Sequence, residues 1–151
     1  MIGQEALGLV EQVAAGDHHL GVLITQDGRG DPQVSVVNGG VLPHPTSGDP
    51  RVGVVAMGGT VKLRNLRRRP RATMVFRSGW QWVAVAGPCE LAGPDDPMPG
   101  LSGDQLRQLL RDIFHAAGGH HPDLEEYDRV MAAERRTAVL IRPERLTTNP
   151  S

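Results

Sequence analysis

Residues 20–26 (LGVLITQ) and 33–38 (QVSVVN) are two runs of branched apolar side chains separated only by Asp27-Gly28-Arg29-Gly30-Asp31-Pro32, and no other feature constrains the fold as tightly. Gly, Asp and Pro at that density make a turn, so the two runs read as the strands of one hairpin and begin an antiparallel sheet. Later runs follow the same plan. VGVVAM (52–57) closes at Gly58-Gly59, and ATMVF (72–76) closes at Arg77-Ser78-Gly79. WQWVAVAGPCEL (80–91) alternates over much of its length, with a bend expected at Gly87-Pro88. TAVLIRP (137–143) is the last strand, with ERLTT extending it past a kink. Between residues 39 and 51, three prolines and three glycines favour an irregular loop, interrupted at most briefly by strand.

Helical signals are fewer. Ile2, Ala6, Leu9, Val10 and Val13 recur at spacings of three and four, an amphipathic stripe that Gly16-Asp17 ends. Thr60 is placed to cap a short helix over 61–69, with Leu63 and Leu66 inward and Pro70 stopping it. Leu106, Leu109, Leu110, Ile113, Phe114 and Ala117 keep one face up to Gly118-Gly119, and a further helix starts at Pro122 with Leu124, Tyr127, Val130 and Met131 inward. The expected order is helix, five strands broken by one short helix, two helices and a final strand. Hairpin links outnumber strand-helix-strand crossovers, which disfavours a doubly wound parallel sheet. The expectation is a mainly β fold, a small antiparallel barrel with peripheral helices, and 151 residues suit one such domain over 1–151.

Composition removes several functions. A single cysteine, Cys89, excludes an internal disulfide and paired-cysteine metal or redox motifs. Next to Pro88 and Glu90 it reads as a buried structural thiol. Aromatic residues are only 3% of the chain, a poor supply for stacking single-stranded nucleic acid. No apolar run approaches the roughly 18 residues of a membrane span, and MIGQEALGLVEQ lacks the basic-then-apolar start of a secretion signal. A cytoplasmic protein is expected, with neither membrane nor nucleic acid as partner.

The charge is unevenly placed. The formal net charge is -1, yet residues 60–71 (TVKLRNLRRRPR) hold six cations and no acid, and Lys62 is the only lysine in the chain. At the start of the short helix, the free amides of Val61, Lys62 and Leu63 and the helix dipole favour an anion. Lys62 and Arg64 add full charge there, and Gly58-Gly59 lets a ligand approach the backbone. A phosphate clamp and a solvated basic face both fit Lys62 and Arg64; for Arg67, Arg68 and Arg69 the solvated face is preferred. GGTVK lacks the glycine spacing of a Walker loop, and Gly28-Arg29-Gly30 leads into Pro32 and a strand, so it is no dinucleotide fingerprint. The histidines, His18-His19, His44, His115 and His120-His121, lack metal-ligand spacing, so no metal is expected. No serine lies in a Gly-x-Ser-x-Gly elbow. Gln33, Ser35 and Val37 share one strand face, which suits either the edge of a heterocycle or water, and Val34 and Val36 share the other. Trp80 and Trp82, two apart, fit core packing, an interface or ring stacking.

LGVLITQDGRGDPQVSVVNG, KLRNLRRRPRATMVF, WQWVAVAGPCEL and RRTAVLIRPERL, in that succession, resemble the pyridoxamine 5'-phosphate oxidase-like superfamily of split β-barrels. The likeness covers about residues 5–148 and is strongest to the actinobacterial branch of deazaflavin (coenzyme F-420) dependent oxidoreductases. Its most specific element is Lys-x-Arg-Asn-Leu-Arg-Arg-x-Pro-Arg, Lys62 to Arg71. The resemblance implies a homodimer with two sites, each shared between subunits. It implies that Gln33, Val34, Ser35 and Val36 line the cofactor ring, that Met57 and Gly59 border it, and that Trp80 or Trp82 approaches from the partner. Thr60, Lys62, Arg64 and Asn65 would hold the phosphate, with Thr60 standing where relatives commonly carry another basic residue. Hydride transfer between coenzyme F-420 and a small organic substrate is the implied activity. An FMN-dependent oxidase or reductase and a non-catalytic flavin or deazaflavin carrier are the alternatives. The catalytic residues stay unassigned; His44 and Arg51 are the candidates for a general acid.

Overall fold

The structure is a computed structural model and describes residues 2–150. Its first element is α1 (Gln4–Ala15), followed by β1 (Leu20–Gln26) and β2 (Pro32–Pro43). These two strands pair antiparallel from Leu20↔Asn38 to Gln26↔Pro32. The Asp27 carboxylate ties the turn by accepting the amides of Arg29 (2.8 Å) and Asp31 (3.0 Å), which holds its pKa below the ordinary carboxylate value.

β2 corrects one expectation. It does not dissolve into loop after Asn38 but continues to Pro43 and pairs with β3 (Pro50–Ala56), from Gly39↔Val54 to Pro43↔Pro50. The irregular segment shrinks to a turn around His44–Asp49, where the amide of His44 donates to the carbonyl of Asp49 at 2.7 Å. Of the glycines that suggested a loop, Gly48 takes a left-handed φ of 77° in the turn, and Gly39 and Gly40 are in the strand, closely approached by neighbours. A Cβ on Gly40 would lie 2.2 Å from the carbonyl oxygen of Ala116 in a later helix.

After β3 come α2 (Val61–Arg68), β4 (Arg71–Ser78) and β5 (Gln81–Ala92). The last two form a hairpin from Arg71↔Pro88 to Ser78↔Gln81. Trp80 therefore sits in the turn, not on the strand with Trp82. The expected bend at Gly87-Pro88 is present, and β5 changes neighbours there. Residues 83–86 pair with β7 (Arg145–Thr148), whereas residues 89–92 pair with β6 (Thr137–Ile141). β7 is a separate strand, not an extension of β6. A Cβ on Gly87 would lie 1.8 Å from the carbonyl oxygen of Arg142, so the crossing requires glycine.

The order β4-β1-β2-β3-β6-β5, with β5 returning to β4, closes a six-stranded antiparallel barrel, and β7 is added outside β5. The chain is mainly β with peripheral helices, a split β-barrel. Phe76, Met74, Leu23, Val54, Val83 and Val139 fill it. Val10 and Val13 of α1 and Leu63 and Leu66 of α2 join the same core, which is what fixes those two helices on the barrel. α3 (Gly103–Ala116) begins with a capping box in which Ser102 and Gln105 satisfy each other's amides. It packs Leu109, Leu110 and Ile113 on the outside of β2, β3 and β6, making a second apolar cluster with Leu42, Ala138 and Leu140. α4 (Leu124–Ala133) starts at Asp123, whose carboxylate accepts the amides of Glu125 and Glu126. It is held to α3 by the Arg111–Asp128 ion pair and by the Tyr127 hydroxyl donating to the carbonyl of Leu110. No helix of the described residues is long and apolar enough to cross a membrane.

Candidate functional site

The site follows from where the barrel splits. Pairing between β2 and β3 ends at Gly39↔Val54. Beyond it the strands part, and residues 36–38 of β2 and 55–57 at the end of β3 line a cavity of about 390 Å³. Ile113 and Phe114 of α3 and Tyr127 and Met131 of α4 form its far wall. Most of this surface is apolar. Lys62, in the first turn of α2, and Arg136, between α4 and β6, supply its charge. No histidine or cysteine is among the lining residues.

The head of α2 is held differently from the sequence expectation. Thr60 is at the cap position with extended backbone, but its side chain makes no capping bond. Its hydroxyl donates to the carbonyl of Met57 at 2.9 Å, and among the described residues no side chain caps the first-turn amides. Lys62 is partly buried, and that burial, more than the charge of Arg136, pushes its pKa below the ordinary 10.5. Among the described residues no carboxylate lies within ion-pair distance of Lys62 or Arg64. Elsewhere on α2, Arg67 serves the fold. Arg67 makes a two-pronged pair with Asp96 at 2.8 and 2.7 Å, and just after the helix Arg71 meets Glu144 at 3.0 Å.

The other expected residues fall into separate groups. Val36, Met57 and Lys62 share the cavity. Gln33 and Ser35 turn to the barrel side of β2, while Val34 and Val36 turn outward, 58% and 68% exposed. Gln33 belongs to a polar chain in which buried Asn65 donates to Thr25 at 3.2 Å and Thr25 donates to Gln33 at 3.0 Å, anchoring α2 to β1. Asn65 thus has a structural partner for its amide. Ser35 Oγ is buried with no protein partner. Gly59 takes a left-handed φ of 78° between Met57 and the helix. Trp80 is 94% exposed, and Trp82 is half-buried on the outer face of β5.

His44 and Arg51 are both buried and meet Glu90, at 3.3 and 3.6 Å, in a cluster that ties the β2–β3 turn to β5. Neither lines the cavity, which removes them as general acids there. Cys89 is a buried thiol whose pKa burial pushes up to about 12. Among the described residues no group of histidine, cysteine and acidic side chains is arranged to hold a metal.

Arg136, Asn38 and the helical wall were missed by sequence reasoning. Ile113, Phe114, Tyr127 and Met131 carried a signal, since all lie on inward helix faces, but periodicity does not tell a core-facing residue from one facing a cavity. Arg136 follows Glu134-Arg135 before a strand and carried none.

A closed six-stranded antiparallel barrel with a cleft where two strands part is the split-barrel class. No family model matches the chain, and no curated protein matches it in sequence. Solved structures do. A conserved hypothetical protein of Mycobacterium tuberculosis is 18% identical with TM-score 0.67, over 98% of this chain and 84% of that one. An FMN-binding protein related to pyridoxamine 5'-phosphate oxidase, from Nostoc punctiforme, is 13% identical with TM-score 0.63, over 98% and 86%. An F-420 reductase is 15% identical with TM-score 0.62, over 97% and 98%. A heme-binding protein of Mycobacterium smegmatis shares the architecture at 19% identity and TM-score 0.64, this chain spanning 55% of its length. The chain has the pyridoxamine 5'-phosphate oxidase-like fold.

Proposed function

We propose that the protein is a homodimeric oxidoreductase that holds coenzyme F-420 at the β2–β3 split and passes hydride between it and a small organic substrate. The cavity carries this reading. Its walls mix apolar side chains with a few polar ones, and its one lysine has no acidic partner among the described residues, an arrangement suited to a flat ring with an acidic tail. Val36 and Met57 offer apolar contact to the ring, and the open amides of α2 and the Lys62 ammonium face the tail. Partial burial keeps water from screening that ammonium. Phe114, Ile113 and Met131 close the wall against solvent. The cofactor, when bound, supplies the hydride-carrying carbon. Tyr127 stays protonated at neutral pH, because burial pushes its pKa up to about 12 and its hydroxyl is engaged by Leu110.

The outer face of the barrel supports the dimer. Val36, Val22, Val75 and Ala84 form one row across four strands, and Val34, Ile24, Thr73 and Ala86 form the next. Val34 and Val36 are among the most exposed apolar side chains of the protein, and a second copy laid on these rows would cover them at the edge of the cavity.

FMN is the second reading, favoured by the fold shared with an FMN-binding protein. A heme fits less well. The lining holds no histidine or cysteine to take its iron, the Tyr127 hydroxyl is already engaged, and Met57 and Met131 are the ligand types left. Titration with coenzyme F-420 tests the proposal. Lys62→Ala is expected to weaken binding roughly tenfold to a hundredfold, the loss of a charge-assisted hydrogen bond of about 1.5–3 kcal/mol. Wild-type protein that binds no deazaflavin at high micromolar concentration overturns it. Flavin colour in the protein as purified transfers the reading to FMN.

A further inference from the structure

We propose that Arg136 is a second cationic ligand of the bound cofactor's phosphoryl group, acting with Lys62 although it comes from a different part of the chain. The inference rests on the flavin-type cofactor reading above. Lys62 and Arg136 line the same cavity, one from the first turn of α2 and the other from the link between α4 and β6. Arg136 is held from behind. Its backbone amide donates to the carbonyl of Met131 at 2.9 Å, and its Nε donates to Glu134 Oε1 at 2.9 Å. That fixes one edge of the guanidinium. The two terminal amino groups have no partner among the described residues, so the remaining donors of a planar fork are left available.

The charges around it point the same way. The cavity lining contains two cations and no carboxylate, and Glu134, which holds the Nε edge, is not part of it. Arg136 is near enough that its charge lowers the pKa of Lys62. Two like charges lining one cavity repel each other, and an anion between them relieves the repulsion. A purely structural arginine at this point gains most by a two-pronged pair in which Nε and one terminal amino group both bond one carboxylate, as Arg67 and Arg111 do with Asp96 and Asp128. Arg136 instead gives Glu134 its Nε alone and leaves both terminal amino groups unpaired among the described residues. Phosphoryl oxygens match such a fork, and both a phosphate monoester and a phosphodiester present them.

The test titrates wild type, Arg136→Gln and Arg136→Lys with coenzyme F-420, with FMN and with riboflavin, which has the FMN ring and no phosphate. Thermal melting without ligand checks each fold. Arg136→Gln is expected to melt as wild type does, to bind the phosphate-bearing cofactor at least tenfold more weakly and to leave riboflavin binding unchanged, with Arg136→Lys in between. Arg136→Gln that binds the phosphate-bearing cofactor as tightly as wild type overturns this inference and leaves the cofactor reading standing. Equal losses for FMN and riboflavin also overturn it, since they assign Arg136 to the shape of the pocket. Wild-type protein that binds neither coenzyme F-420 nor FMN removes both.

Discussion

Lys62 shows how a single side chain takes on a function through its surroundings. Burial is the larger cause of its lowered pKa and Arg136 the smaller, so the folded protein disfavours the charged form relative to the unfolded chain. An anion needs that charged form. Cofactor affinity is therefore expected to hold through neutral pH and to fall as pH rises through the lowered Lys62 pKa, before the ordinary lysine value of 10.5 is reached. A pH series of binding constants checks this, and Lys62→Ala should flatten the alkaline limb. The sequence singled out Lys62 because it is the only lysine and opens a helix after two glycines. It misread Thr60, whose hydroxyl found the nearer carbonyl of Met57 and left the helix amides open. It also gave two faces for β2 without saying which points inward. Ser35 and Gln33 face the barrel, and Val34 and Val36 face out, the reverse of what hydrophobicity alone suggests. Arg136 was invisible, because a lone cation between a helix and a strand has no period to mark it.

Among the elements, β2 matters most. Proline and glycine density argued for a loop beyond Asn38, yet the strand passes Gly39-Gly40 and joins β3. Gly40 is required by the C-terminal end of α3, at Ala116, far later in the chain, and local sequence cannot report such a neighbour. Gly40→Ala is expected to destabilise the protein by roughly 1–3 kcal/mol, because its Cβ would lie 2.2 Å from the Ala116 carbonyl and backbone must shift to admit it. A fall of several degrees in melting temperature would register that loss. An unchanged melting temperature would mean that α3 does not lie against β2 as described. The other elements were readable to within a few residues. β1, β4 and α3 each carry an unbroken period and a local stop.

For the whole molecule, the hairpins β1–β2 and β4–β5 were legible, and the closure was not. β1 meets β4 and β3 meets β6 across long stretches of chain, pairings that no local pattern encodes. Closure is what forms the cleft, by letting β2 and β3 pair at one end and part at the other. It also leaves rows of valine on the outside, which in the proposed dimer are covered by a second copy. Sedimentation velocity of wild-type protein with added coenzyme F-420, followed in both the protein and cofactor absorbance bands, tests ring binding and pairing together. The expected result is cofactor travelling with a particle of twice the 16.2 kDa chain mass, lost from that boundary when Val22→Glu places a charge on the outer face. Cofactor that stays unsedimented, or a wild-type boundary at the mass of one chain, would contradict it.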